Sequence, residues 1–347
     1  MASTSELLAD HGDRQVPAGA LDLAVNVVAQ TPSWLREELA ELDLASYPDT
    51  RAAADAAATR HGVDVDRCLL TNGAAEAFWA VAHGISPRLA VCVHPSFTAP
   101  EAALRSAGVP VHRVIRRPEE GFALDPAAVP DEADLVVLGR PDNPTGLMES
   151  YEVVGSLVRP GRVVVVDEAF ADFLPDGESL VSMGLPGVIC VRSMTKLWGL
   201  AGLRVGYVLG PPDLLRRLAA ALQPWPVSTP AAHAVQRLSV SEPERKARAD
   251  RVAASRLALL TGMGQVGEDL LKVWPSPANF VLLQTALPHL RERLLEVDIA
   301  VRRCETFPGL DSSFARVAVP VEDGPRARFL DELHRLSFAA RARIMNS

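Results

Sequence analysis

Of the 35 basic side chains in this chain only Lys196, Lys246 and Lys272 are lysines. Lys196 stands in VICVRSMTKLWGLAGLRVG, from Val188 to Gly206, among apolar residues. Burial drives an amine toward its neutral form, in which it adds to carbonyl carbon near neutral pH. Lys246 lies in EPERKARADR and reads as part of a solvated helix face. Lys272 follows the acidic stretch GEDLLK and reads as a surface charge. Lys196 is therefore the candidate for covalent chemistry.

Further polar clusters interrupt apolar runs elsewhere. They are Thr71-Asn72-Gly73, His94-Pro95-Ser96-Phe97, Arg140 to Gly146 (RPDNPTG), Asp167-Glu168 and Ser193 to Lys196. The runs before them read as strands: Cys68 to Leu70, Leu89 to Val93, Asp134 to Leu138, Arg162 to Val166 and Val188 to Arg192. Val109 to Ile115 and Val205 to Leu209 read as strands as well. Helical stretches lie between them at Arg51 to His61, Ala74 to His83, Ala99 to Ser106 and Glu149 to Val158. Uninterrupted β-branched runs alternating with helices predict parallel strands covered on both faces. Ligands of such sheets bind beyond the carboxyl ends of the strands, so all five clusters converge on one crevice.

Beyond Pro211 the pattern turns helical, with a long charged helix from Glu242 to Met263. It then becomes mixed, with strands at Asn279 to Leu283 and Arg316 to Val319 and helices at Pro288 to Leu295 and Pro325 to Ala340. Residues 1 to about 45 read as irregular, apart from a helix at Pro32 to Leu42. The expected architecture is α/β. A large domain (residues 46–240) has a mostly parallel central sheet. A smaller α+β domain (residues 241–347) packs with an N-terminal arm (residues 1–45).

A length of 347 residues suits one large and one smaller domain, and 48% hydrophobic with 22% charged residues is ordinary for a globular protein. A net charge of −8 without basic clusters argues against nucleic-acid binding. Cys68, Cys92, Cys190 and Cys304 are widely spaced and form no CxxC pair, which predicts a reducing, cytoplasmic setting and no disulfides. No apolar run has membrane-spanning length, the first residues lack the pattern of a signal peptide, and the histidines have no metal-ligand spacing. Neither a P-loop nor GxGxxG is present.

The clusters match the needs of a flat aldehyde cofactor carrying a pyridine nitrogen, a ring hydroxyl and a phosphate. Lys196 would take the aldehyde. Asp167 would face the ring nitrogen and keep it protonated, its alternative being a helix N-cap or an arginine partner. Asn143 would meet the ring hydroxyl, or serve only its turn. Phe97 would stack on the ring, or be core. Gly73, Ala74 and Ala75 open a helix, a ready phosphate site, with Ser193, Thr195 and Arg204 to complete it.

With these residues in place, the chain resembles fold-type I pyridoxal-phosphate enzymes of the aspartate aminotransferase superfamily. The resemblance runs through NPTG (Asn143 to Gly146), DEAF (Asp167 to Phe170), SMTK (Ser193 to Lys196) and GLRVG (Gly202 to Gly206). It implies pyridoxal 5'-phosphate as cofactor and the roles just given for Lys196, Asp167, Asn143, Phe97, Arg204, Ser193 and Thr195. In the histidinol-phosphate aminotransferase branch, the tyrosine of a YP(D/E) segment reaches the partner subunit's phosphate site. Tyr47 matches it, which implies a homodimer with shared sites. Within the branch the chain is most similar to L-threonine-O-3-phosphate decarboxylases of cobalamin biosynthesis. The matching stretches are His11-Gly12, Asn26 in LAVNVV, TNGAAE, DEAFADF, PWPVS and VRRCETFPGLD.

Phe170 follows DEA as in those decarboxylases, where transaminases usually carry tyrosine. That resemblance implies His11, Asn26, Asn143, Arg302 and Arg316 as substrate contacts. Arginine forks suit the carboxylate and phosphate of such a substrate. One departure is Pro320, where the decarboxylases often carry another arginine. Decarboxylation of threonine phosphate to aminopropanol phosphate is the leading expectation. Transamination of histidinol phosphate or a related phosphorylated or aromatic amine is the alternative, and a non-catalytic binding or regulatory protein on the same fold is a third.

Overall fold

The computed structural model describes residues 16–28, 30–175 and 177–345. In chain order the strands are β1 (Leu21–Leu23), β2 (Cys68–Asn72), β3 (Ala90–His94), β4 (Val111–Ile115), β5 (Leu135–Gly139) and β6 (Val163–Glu168). They continue with β7 (Val188–Ser193), β8 (Val205–Leu209), β9 (Leu271–Trp274), β10 (Phe280–Thr285), β11 (Ile299–Arg303) and β12 (Phe314–Ala318). They form a seven-stranded sheet in the order β2-β8-β7-β6-β5-β3-β4 and a five-stranded sheet in the order β1-β11-β12-β10-β9.

The valine run explains the large sheet. Val163 and Val165 face one side, where they pack with the helices Gly73–Ile85, Ala99–Ser106 and Pro212–Ala220. Val164 and Val166 face the other, against Val154 and Leu157 of the helix Tyr151–Leu157 and against Leu180. With both faces covered, an uninterrupted apolar strand is the stable solution. The β3–β4, β3–β5, β5–β6 and β6–β7 pairs are parallel. β8 runs antiparallel to both β7 and β2. The sheet is thus mixed and mostly parallel, and nothing in the composition of β8 discloses its direction.

Helix ends follow local chemistry. Ser150 accepts a hydrogen bond from Val153 N at 3.2 Å, so the helix predicted from Glu149 begins at Tyr151. The helix predicted from Pro288 begins at Leu290, after His289 in the left-handed region. Leu21–Leu23, expected to be irregular, is a strand because β11 supplies its hydrogen-bonding partner. β9 and β11 also lie outside the strands expected from periodicity. The four cysteines are free thiols. Lys246 pairs with Asp250 one helical turn on, an exposed contact of the kind expected for it. Among the described residues no helix is long and apolar enough to cross a membrane.

Candidate active site

The carboxyl ends of β5, β6 and β7, with the helix that follows β2, open into a crevice of about 410 Å3. Its wall contains Ala74, Ala75, Phe97, Asn143, Asp167, Ser193, Thr195, Lys196 and Arg204 from the large-sheet side. Asn26, Arg302 and Arg316 line it from the N-terminal segment and the small sheet. Two candidates stand apart. Tyr47 is 76% exposed and stacks on Trp225 at 4.2 Å between ring centroids, outside the crevice of its own chain. His11 lies outside the described residues.

Lys196 sits in the one-turn helix Thr195–Trp198, directly after β7. Its Nζ donates to Asn26 Oδ1 at 3.3 Å and stands 5.8 Å from the centre of the Phe170 ring. Asp167 is the penultimate residue of β6, and its Oδ1 accepts from Ala169 N at 2.9 Å. Burial pushes its carboxyl up to about 7; the Ala169 amide and the Lys196 charge oppose the rise and Asp142 adds to it. A carboxylate half-buried in a crevice wall is stabilised by an adjacent cation, a role that suits a protonated ring nitrogen.

Asn143 is oriented by Arg316, whose Nη1 donates to Asn143 Oδ1 at 2.6 Å. With its oxygen committed, the Asn143 amide turns its NH2 to other acceptors, which suits a ring oxygen. Three features make one end of the crevice suited to an anion. The helix Gly73–Ile85 begins at Gly73, with Glu76 reaching back to Asn72 N at 2.6 Å. Arg204 is itself held at φ +58° and lies across that helix start. Ser193 and Thr195 complete the wall.

Gly73 has φ +75°, and a Cβ there would lie 2.7 Å from Arg204 Nη2. Gly73→Ala is therefore expected to displace the guanidinium and weaken pyridoxal-phosphate affinity by about tenfold or more, since both the strain and the clash fall on the anion site. Cofactor titration followed by absorbance checks it, and an unchanged affinity would remove Arg204 from the phosphate site.

The small sheet contributes a cationic wall. Arg302 on β11 stands directly opposite Arg316 on β12 in the antiparallel register. Like charges in that position destabilise a sheet, so the pair needs an anion to be worth its cost. Arg302 Nη2 donates to Thr306 Oγ1 at 2.8 Å, and its guanidinium lies 5.2 Å from the centre of the Phe307 ring. Burial first, and Arg302 second, bring Arg316 down to about 9, still charged at neutral pH. Among the described residues no carboxylate forms an ion pair with Arg316, and its Nε has no hydrogen-bond partner. Asn26 Nδ2 is likewise buried without a partner among the described residues.

Some contributors carry no motif of their own in the sequence. Thr98 lines the crevice beside the quoted His94 to Phe97 cluster, and Phe307 lines it from within VRRCETFPGLD, where the resemblance gives it no role. Behind the wall, Asp142 accepts from Ser96 Oγ at 2.5 Å and from Arg116, tying the Phe97 loop to the Asn143 loop. Arg192 joins Glu168 at 2.9 Å and Asp172 at 2.8 Å, fixing the ends of β6 and β7 next to Asp167 and Ser193. Ser96, Asp142, Glu168 and Asp172 lie within quoted motifs, whereas Arg116 and Arg192 are signalled only as charges at the ends of apolar runs.

Residues 18–332 match the family Aminotransferase class I and II. A histidinol-phosphate aminotransferase of Mycobacterium tuberculosis is 45% identical over 322 residues, covering 90% of this chain and 87% of that protein. A threonine-phosphate decarboxylase of Salmonella typhimurium is 30% identical over 320 residues, covering 87% of each. The crystal structure of the histidinol-phosphate aminotransferase from Clostridium acetobutylicum superposes with a TM-score of 0.85 at 24% identity, covering 92% of this chain and 99% of that one. This last likeness concerns the fold.

Proposed function

The chain belongs to the class I and II aminotransferases, a family of pyridoxal 5'-phosphate enzymes, and we propose that it transaminates a small phosphorylated amine, histidinol phosphate being the first candidate. The observation that carries this reading is the Arg302–Arg316 pair, two buried guanidiniums in register on the wall of the crevice that holds Lys196. Such a pair suits a dianionic phosphate ester better than a lone carboxylate. The greater identity to the aminotransferase, 45% against 30%, supports amino transfer over the decarboxylation first expected.

When bound, pyridoxal phosphate supplies the electron sink that stabilises negative charge at the substrate's α-carbon. The residues supply the rest. Arg204, the Gly73 helix start, Ser193 and Thr195 would hold the cofactor's phosphate. Asp167 would keep a proton on the ring nitrogen, Asn143 Nδ2 would be free to donate to the ring oxygen, and Phe97 would pack against the ring. Lys196 Nζ would hold the aldehyde end and, when free, would be placed to move a proton at the substrate's α-carbon. Arg302 and Arg316 would anchor the substrate's anionic end and so set which of its bonds is activated. A shift of about an ångström in that anchor changes which bond breaks.

Decarboxylation of threonine phosphate is the second reading, and one observation favours it. Phe170 lines the crevice, packed edge-on to Phe280 at 5.0 Å, and offers the ring oxygen no hydroxyl. Against it, Pro320, buried just beyond β12, gives the substrate no cation where the decarboxylases often carry an arginine.

The deciding test offers histidinol phosphate with 2-oxoglutarate, and separately threonine phosphate, to the purified enzyme with added cofactor. Glutamate formed with the first substrate is the expected result. CO2 from the second, without glutamate from the first, would replace this proposal by the decarboxylase. A homodimer, with Tyr47 entering the partner's site, is part of the proposal. A sedimentation mass of one chain at working concentration would count against it.

A further inference from the structure

We propose that Asn26 is the positioning residue for the Lys196 amine, holding Nζ through its side-chain oxygen whenever that amine is not engaged with the cofactor. The contact itself is Nζ to Asn26 Oδ1 at 3.3 Å. Asn26 is 5% exposed, and its other end, Nδ2, is buried without a partner among the described residues. One planar amide thus offers its oxygen to the lysine and a donor to whatever occupies the crevice.

The segment carrying Asn26 is pinned against the lysine's own backbone. Val28 N donates to Lys196 O at 2.8 Å, and Thr31 Oγ1 donates to Gly199 O at 2.8 Å. Gly199 has φ +67°, and a Cβ there would lie 2.8 Å from Val28 O, so only glycine admits this approach. At its start the segment is turned by Asp22, whose Oδ1 accepts from Ala24 N and Val25 N at 2.9 Å each. Ala24 O then accepts from Arg316. The segment therefore couples the small sheet to the lysine, and Asn26 is its point of contact with the reacting amine.

A neutral acceptor favours the charged form of the amine and sets its direction. The other charged groups lining the crevice are Asp167 from β6, Arg204 before β8, Arg302 from β11 and Arg316 from β12. None of them changes in the variants below, so their influence cancels in the comparison.

The test uses the full-length chain after cofactor removal, acylated at a series of pH values with limiting acetic anhydride and read by peptide mass spectrometry. Lys246 and Lys272, exposed on other elements, serve as references in the same sample. Asn26→Asp is expected to raise the pH midpoint of Lys196 labelling by about one pH unit or more, and Asn26→Leu to lower it. Thr31→Val, which cuts the segment's other tie, is expected to leave the Lys196 midpoint in place. The inference is overturned if neither Asn26 variant moves Lys196 relative to the references, or if Thr31→Val moves it as far as Asn26→Leu. Should Asn26→Leu fail to fold, Asn26→Asp decides alone.

The inference rests on Lys196 being the amine that takes the cofactor aldehyde. That reading fails separately, if borohydride reduction of the loaded wild-type enzyme fixes the cofactor to a peptide lacking Lys196.

Discussion

Lys196→Ala is expected to lower turnover by roughly 10^4-fold or more while changing the unfolding free energy by less than about 1 kcal/mol. The asymmetry follows from where the side chain lies. Its Nζ reaches into the crevice toward Asn26 and the face of Phe170, not into the packed core. Under the proposed roles, truncation would remove the nucleophile and the proton carrier together. The structure beneath it, from buried Met194 to buried Trp198, keeps its contacts. Single-turnover kinetics with saturating cofactor, paired with denaturant unfolding, measure the two quantities. A variant that still fixes the cofactor on borohydride reduction, or turns over within tenfold of wild type, would show that another group does this work.

Asp167→Asn is expected to separate stability from activity. The Asp167 carboxyl is raised to about 7 in the folded chain, from an ordinary value of 3.8. Between those values the folded chain binds a proton that the unfolded chain has released. Stability of the cofactor-free protein therefore falls as pH rises from about 4 to about 7, and stays at the lower level above that. The cost is on the order of a few kcal/mol. Asparagine carries no such charge, so the cofactor-free variant should match wild type near pH 4 and exceed it at pH 8. Turnover of the loaded variant should fall by about 10^2- to 10^3-fold, because a neutral amide does not hold a proton on the ring nitrogen. Equal unfolding free energies for the two cofactor-free proteins at pH 8 would show that Asp167 is not held in a charge-averse setting.

Both expectations rest on residues whose types and order are visible in the sequence alone. Periodicity places Ala99–Ser106 and Val205–Leu209 at the bounds they have, and a run of valines announces a strand covered on both faces. Motifs at strand ends name nearly every side chain of the crevice wall. Short strands are less legible. Leu21–Leu23 and Leu271–Trp274 are three and four residues long; the first exists because the remote β11 hydrogen-bonds to it, the second because it pairs back on β10. The supporting ion pairs of Arg116 and Arg192 are hidden for a related reason. A buried charge is tolerable only beside its partner, and Arg116 meets Asp142, and Arg192 meets Glu168, across 26 and 24 positions.

The sequence by itself determined the α/β class and named the lysine, acid, amide and arginine that meet in the crevice. These follow from local periodicity and from the chemistry of side chains, which need no third dimension. Only the tertiary structure decided that Arg302 faces Arg316, that Arg316 turns Asn143, and that Asn26 holds Lys196 across 170 positions of sequence. Register and the docking of one sheet on another set those contacts, and both are settled by packing over the whole chain rather than by any segment of it.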